Sequence, residues 1–402
     1  MTLTTHILRR GLEAAHGIHG AMSDADQGDD GHSGGEAPSR VSPWAALLFF
    51  LTAVILMAAL FCIAYTYGHV IPTLCMIEAP ETETYLPVDV IDPTEPPPYS
   101  PAAPPKPTDG AADDLEGNAH ADHEVLLIRN KPYTSSIRQT LLHLRARAGY
   151  WSRLRGLSMF IVWNLVSGLL VAIFGAATGS RIGVAFIAVV VETLLSNLHM
   201  AWVHIVISES RPKRWYQRIP ALRTWTKIAP AVALWATTNQ IVSILPILVC
   251  GSFGSLKHMN DPAYEPGKKD LYAVGAQGFM GVFLMLALFV LLQIPATVTL
   301  VRVAASMLPE EDETIVPFDR TFGGRTTPAI IGGQGKIGLV EAWRSFPWAS
   351  RIRLLKLMIK VALIMMACWL LFTTVMVAEA HIIFGEQLGE VMKAMHGMTG
   401  PH

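Results

Sequence analysis

Apolar stretches of about twenty residues dominate the sequence, and this is the length that an α-helix needs to cross the hydrocarbon core of a bilayer. Lipid offers no hydrogen-bond partners to the backbone, so stretches of this kind must form helices. About six of them are present, over residues 44–64, 157–177, 182–207, 228–250, 278–301 and 358–377. The sequence therefore predicts an all-α fold, a polytopic bundle of about six transmembrane helices.

Composition supports this prediction and argues against other classes of protein. Hydrophobic residues make up 51% of the chain and charged residues only 16%, whereas soluble domains carry about 25% charged residues. The basic residues cluster beside the apolar stretches, which indicates membrane topology and not affinity for nucleic acid. The four cysteines lack the spacing of a metal or redox site, so we expect no metal ion and no other cofactor.

The same charge pattern orients the chain and divides it. Arg and Lys concentrate before the second, fourth and sixth stretches, and the positive-inside rule places those loops in the cytosol. The expected organisation is a disordered tail over 1–42, a first transmembrane helix over 43–67, a disordered proline-rich loop over 68–135, a membrane domain with about five further helices over 136–384, and a short tail over 385–402. The N-terminal residues make a poor presequence, so the plasma membrane or an endomembrane is expected ahead of the mitochondrial inner membrane.

Two segments beside the spans predict amphipathic helices on the cytosolic surface. Residues 136–156 and 340–360 mix apolar side chains with cations, and such helices lie among lipid headgroups, where each cation gains about 1 kcal/mol from anionic lipid. The basic residues expected to face lipid are Arg145, Arg147, Arg351, Arg353 and Lys356. The alternative is that these segments are connectors that only obey the positive-inside rule.

The third span carries a polar stripe. Glu192, Ser196 and His199 follow one another at i, i+4 and i+7, which places them on one face of a continuous helix. A charge at the centre of a span costs on the order of 3 kcal/mol, so Glu192 should be protonated or paired and should face protein or water. One hypothesis is a path for protons or cations. The other is that the stripe holds helices together through hydrogen bonds to Asn164, Gln240 or Gln293.

The proline-rich loop contains a candidate recognition motif. Pro96, Pro97, Pro98 and Tyr99 match PPxY, which WW domains bind because the prolines pre-set a polyproline II helix. A proline-dense loop also produces such matches by chance. Membrane lipids and a WW-domain protein are thus the expected partners.

No enzyme motif is complete in this sequence, and no residue is expected to be catalytic. The string around Lys336 resembles a phosphate-binding loop, but it lacks the first glycine and has Ile337 where the motif needs Ser or Thr. The leading hypothesis is a non-catalytic multi-pass protein that presents cytosolic segments for partner or lipid binding. Two alternatives stay open: a transporter or channel for a small solute, ion or proton that uses Glu192 and His199, and a membrane-embedded lipid-modifying enzyme.

Four strings carry a resemblance to a known group of proteins. They are WVHIVIS at 202–208, IAPAVALWA at 228–236, LPEEDETIVPFDRTFGG at 308–324 and EAWRSF at 341–346. They resemble a family of uncharacterised fungal multi-pass membrane proteins, some of which carry an automatic "ubiquitin carrier" label that these residues do not support. The resemblance covers about residues 130–385 and implies a fungal membrane protein without implying an activity.

Overall fold

The computed structural model describes residues 43–79, 82–87, 125–130, 132–209, 214–252, 267–326, 332–333 and 335–384. The chain divides into two compact units, one of residues 1–53 with 375–402 and the other of residues 54–374. In the first unit, the described residues are only the start of the first helix and the end of the last helix. Every cavity discussed below lies within the second unit.

The described residues are mostly helical. The helices are α1 (Pro43–Tyr65), α2 (Ile71–Ile77), α3 (Ile137–Ala148), α4 (Leu157–Ala176), α5 (Arg181–Leu194), α6 (Ser196–Ile207), α7 (Trp225–Ser252), α8 (Lys268–Leu288), α9 (Ile294–Ser306), α10 (Leu339–Arg344) and α11 (Trp348–Phe384). Two π-helical turns, Thr66–Val70 and Phe289–Gln293, join α1 to α2 and α8 to α9, and short 3-10 turns span Tyr133–Ser135, Tyr150–Leu154, Trp215–Arg218 and Leu222–Thr224.

The predicted fold class is confirmed. Five helical runs are long and apolar enough to cross a membrane: Trp44–Ile77, Tyr150–Ala176, Leu222–Ser252, Lys268–Ser306 and Trp348–Ile383. The pair α5 and α6 supplies a sixth span if its two bent parts are counted as one. Large apolar side chains cover the outside of these helices, as expected where the solvent is lipid. The chain is therefore a multi-pass helical membrane protein.

The structure differs from the sequence prediction at both edges of the loop expected over 68–135. The first helical run does not stop near residue 67 but continues through the π turn into α2, whose seven residues are all buried. Pro72 lies inside this continuous run, directly after the π turn, and its missing N–H removes one backbone hydrogen bond from the run. At the other edge, β1 (Thr82–Pro87) pairs antiparallel with β2 (Val125–Asn130), with Thr82 opposite Asn130 and Pro87 opposite Val125. Residues 88–124 and both predicted tails lie outside the described residues.

The third span is bent by 61° between α5 and α6, so the continuous helix predicted there is wrong. The carbonyl of Thr193, which a continuous helix would pair with the amide of Asn197, accepts the indole N–H of Trp225 at 2.9 Å. A side chain that enters the backbone ladder in this way is a known cause of sharp bends. The hydroxyl of Thr193 also bonds back to the carbonyl of Val189 at 2.7 Å, which favours bending.

One end of the bundle holds a densely packed core. We call it the basic end, defined by residues 136–156 and 308–356, which carry many of the Arg and Lys residues. Here α2, α6 and α9 are almost completely buried and form one hydrophobic cluster with Ile315, Phe322 and Phe346. The segment after α9 is attached by backbone bonds, such as the amide of Ile315 to the carbonyl of Ile207 at 2.9 Å.

Candidate functional site

A cavity of about 410 Å³ lies at the centre of the second unit, and residues from all six spans line it. We call it the central cavity. Its polar and aromatic lining consists of His69, Thr73, Phe160, Trp163, Asn164, His199, Trp202, Trp235, Asn239, Phe289, Gln293 and Thr297. His199 is about 12 Å from the end of α6 at a rise of about 1.5 Å per residue, so the cavity is in the half of the membrane domain nearer the basic end.

Two of the lining side chains are buried with polar atoms left free. Among the described residues, Nδ1 of His199 and Oε1 of Gln293 have no hydrogen-bond partner, although the side chains are only 4% and 6% exposed. A buried polar atom without a partner costs about 1–3 kcal/mol, so such atoms in proteins usually meet water or a ligand. Both side chains belong to the wall of the same cavity.

The polar groups in this largely apolar lining carry no formal charge. Among the residues that line the central cavity in the described part of the chain, none is Asp, Glu, Lys or Arg. Two histidines, three side-chain amides and two threonines supply the donors and acceptors. A charged ligand would be desolvated there without a counter-ion, at a cost of several kcal/mol. The cavity therefore suits an uncharged molecule that forms hydrogen bonds.

Three tryptophans surround His199 and form the apolar side of the site. The imidazole centroid lies 4.1 Å from the ring of Trp163 and 4.8 Å from that of Trp235. Trp202 is slightly farther, at 5.8 Å. Because the rings also contact each other, with Trp163 6.1 Å from Trp235 and 6.3 Å from Trp202, they hold the imidazole in one orientation.

Glu192 lies behind this aromatic wall. Its carboxylate accepts the indole N–H of Trp163 at 3.0 Å and the hydroxyl of Ser167 at 2.5 Å, and both donors come from α4. Glu192 is not among the described residues that line the central cavity. The predicted pairing with a neighbouring span is therefore present, but its partners are Trp163 and Ser167 in place of Asn164, Gln240 or Gln293.

The predicted polar stripe is divided by the bend in the third span. Ser196 begins α6 after the break and is completely buried, and its hydroxyl has no partner among the described residues. Glu192 and His199 are on different helices and both contact Trp163, one through the indole N–H and the other through the ring face. Of the three predicted residues, only His199 reaches the cavity.

Two π turns contribute residues to the wall, and sequence reasoning missed them. His69 in the first turn is followed by Val70 and then by Ile-Pro, whereas Gln293 in the second is followed directly by Ile-Pro. A threonine stands four residues after each of them. The hydroxyls of Thr73 and Thr297 bond back to the carbonyls of His69 and Gln293, each at 2.7 Å. π turns are rare and occur often at functional sites because they redirect side chains. The sequence signal that could have found them is the Ile-Pro pair inside each apolar run.

The basic residues predicted to face lipid divide into two groups. Arg351 donates to the carbonyls of Phe346 and Trp343, and Arg353 pairs with the buried Glu78 at 3.7 Å, so both serve internal contacts. Arg147 forms a surface ion pair with Glu209, and Arg145 lies over the ring of Tyr150. Lys356 is exposed.

The remaining predicted motif, Pro96, Pro97, Pro98 and Tyr99, lies outside the described residues and stays a prediction. Comparison of the chain with protein-family models, with curated proteins and with solved structures found no match. The resemblance to fungal multi-pass membrane proteins therefore also stays a prediction.

Proposed function

We propose that this protein is a transporter that binds a small, uncharged, hydrogen-bonding solute in the central cavity and carries it across the membrane. The observation that supports this most is one cavity, lined by all six spans, whose wall contains the unpartnered polar atoms of His199 and Gln293. A role in helix association alone would predict that these polar atoms bond to neighbouring helices, and among the described residues they do not.

The distribution of exposure supports entry of a solute from outside the protein. His69 and Asn164 are exposed, whereas His199 and Gln293 in the same wall are buried. Polar side chains therefore extend from the accessible surface of the protein to the buried part of the cavity wall. A solute that enters at His69 and Asn164 can exchange its hydration for the side chains deeper in the cavity.

The size and lining limit the class of solute. At about 410 Å³ the cavity falls in the lower part of the range of about 300–1,000 Å³ that small-molecule sites occupy. The tryptophan wall favours an apolar or CH-rich face on the solute, and the amides and imidazoles favour hydroxyl or amide groups. Polyols, sugars and small amides share these properties.

The test is solute flux into proteoliposomes, followed by stopped-flow light scattering after an osmotic jump. The probes are glycerol, ribitol, glucose and urea, with glycerate as the charged analogue of glycerol. We expect at least one uncharged probe to enter faster than it enters protein-free vesicles, and glycerate not to enter faster. Asn239→Leu and Gln293→Leu should reduce that flux by roughly 10-fold or more, because each removes a polar group that would compensate solute desolvation.

The matched control is Gln240→Leu. Gln240 is the next residue along α7 but lines an apolar groove between α5 and α7 and not the central cavity, so its loss should leave flux unchanged. The proposal fails if no probe enters faster through the wild-type protein than through protein-free vesicles. It also fails if Gln240→Leu and Asn239→Leu have the same effect.

The transport proposal does not depend on Glu192 as a proton carrier, because its carboxylate is turned toward Trp163 and Ser167. Presentation of cytosolic segments remains a second proposal, with the basic end in the cytosol and the plasma membrane or an endomembrane as location. It is supported by the exposed Lys356, but residues 308 to 322 contribute to the buried core and are less free to bind partners.

A further inference from the structure

A second cavity lies at the basic end, between the segment that precedes α3 and the first turns of α11. Its volume is about 460 Å³. We call it the basic cavity. Its lining residues are Pro132, Thr134, Ser135, Ile137, Ala349, Ser350, Ile352, Arg353, Lys356, Leu357 and Lys360. It shares no lining residue with the central cavity, so it stands independently of the proposed transport function.

The charge in this cavity is of one sign. Arg353, Lys356 and Lys360 occupy one face of α11, and no Asp or Glu is among the described residues that line the cavity. Glu78 pairs with Arg353 from outside the lining, but its carboxylate also accepts the amides of Tyr133 and Thr134 at 2.6 and 3.1 Å. The carboxylate is therefore shared among several donors, and the two lysines remain unneutralised by it.

Hydrogen-bond donors in the same cavity are also unused. Among the described residues, Nε of Arg353 and the hydroxyl of Ser135 are buried without a partner. Both side chains line the cavity beside the two lysines. Cations combined with free N–H and O–H donors match the several acceptor oxygens of a phosphate group.

The position along α11 indicates where such a phosphate would come from. Lys360 is the last cation before an uncharged run over residues 361–378 that belongs to the last span. Ile359 just before Lys360, and Leu363 and Met366 after it, are exposed apolar side chains on this helix. A ligand whose headgroup fills the basic cavity would therefore have apolar helix surface next to its tails.

We infer that the basic cavity binds the headgroup of an anionic phospholipid. A cavity with arginines is also present beside Arg302, but there the guanidinium already donates to the carbonyls of Met76 and Ser345, and Asp319 and Glu78 share the lining. In the part of the chain that the structure describes, the basic cavity combines two lysines that no carboxylate pairs with, donors without a partner, and an apolar continuation along the last span.

The test is lipid binding to the full-length protein purified in detergent, measured by native mass spectrometry. The probes are phosphatidylserine and phosphatidylcholine with identical acyl chains. We expect one phosphatidylserine to bind at least about 10-fold more tightly than phosphatidylcholine. Lys356→Gln combined with Lys360→Gln should weaken the binding of phosphatidylserine by roughly 30-fold, because it removes two cations that contribute about 1 kcal/mol each. Lys356→Arg with Lys360→Arg should retain wild-type affinity within about 3-fold, because the charge is kept.

The matched control removes two exposed cations from the cavity beside Arg302. Arg325→Gln with Arg344→Gln changes the net charge equally and should shift affinity by less than about 3-fold. Equal affinity for the two lipids would overturn the inference, as would an equal loss in the control.

A millimolar excess of glycerol 3-phosphate should leave the lipid bound. Complete displacement would assign the cavity to a soluble phosphate ester instead. The single change Lys360→Gln, expected to weaken binding by about 5-fold, keeps the test decisive if the double variant does not fold.

Discussion

Replacement of Arg302 by Ala should destabilise the protein more than the same replacement of an exposed arginine. Arg302 is only 6% exposed and joins three segments. From α9 it donates to the carbonyl of Met76 at the end of α2, at 2.9 Å, and to the carbonyl of Ser345 just after α10, at 3.2 Å. Its guanidinium also lies 4.7 Å from the ring centroid of Phe322. The substitution would leave two buried acceptors without their charged donor.

The magnitude follows from those contacts. A hydrogen bond to a charged group contributes about 1.5–3 kcal/mol, so losing two costs roughly 3–6 kcal/mol. In a chain of 402 residues, that corresponds to a fall of roughly 4–7 °C in the unfolding midpoint. Arg302→Lys should have an intermediate effect, because one ammonium group cannot reproduce the forked contact to both carbonyls.

The assay is thermal unfolding in detergent, followed by tryptophan fluorescence at one fixed scan rate, because unfolding of such proteins is commonly irreversible. Arg344→Ala is the control, since Arg344 is exposed and should shift the midpoint by no more than about 1 °C. A midpoint for Arg302→Ala that matches this control would refute the reasoning that Arg302 holds the basic end together.

Three further predictions concern single side chains. Glu192→Gln should leave the unfolding midpoint nearly unchanged, because the glutamine oxygen can accept from Trp163 while its NH2 group donates to the hydroxyl of Ser167, whereas Glu192→Ala should lower it by several degrees. Equal losses in the two variants would show that the negative charge itself is required. Burial alone would raise the pKa of Asp319, but the hydroxyl and amide of Thr321 and the amide of Gly323 donate to its carboxylate and hold the pKa below its ordinary value. The stability that the ionised carboxylate gives to this turn is therefore present above about pH 4 and is lost as the pH falls through the lowered pKa. Asp319→Asn should therefore reduce the loss of stability at acid pH in a curve of stability against pH. The same loss in the variant and the wild-type protein would contradict this. Tyr99→Ala should abolish binding of the full-length protein to a purified WW domain in a pull-down, and undiminished binding would remove the motif from consideration.

The spans could be predicted from the sequence because each depends on a local property, the length of an uncharged apolar run. The same reasoning predicts that the first span ends near residue 67, and the polar residues Thr66 and His69 lie at that point of the sequence. It could not show that these polar residues form a π turn with α2 buried beyond it, because that burial depends on contacts with α6 and α9 from distant parts of the chain.

The candidate site was only partly predictable for the same reason. The sequence singled out His199 and Glu192 as polar residues in a span, and both are engaged in the interior of the bundle. The bend at Leu195 separates them, so that His199 lines the cavity and Glu192 lies behind the aromatic wall. That bend involves the indole of Trp225, which donates to the carbonyl of Thr193. Gln293 was considered only as a possible partner of the stripe, since a single glutamine in an apolar run does not reveal what faces it.

The most direct test of the central claim is the accessibility of the cavity wall to water. In a full-length variant without the four native cysteines, Thr297→Cys should react with a small, water-soluble thiol reagent in intact proteoliposomes. Gln240→Cys, on the same helix as Asn239 but in the apolar groove, should not react. Reaction at 297 alone, suppressed by a solute that the wild-type protein carries, is the predicted result. Failure of the cysteine at 297 to react, or equal reaction at both positions, would contradict the account.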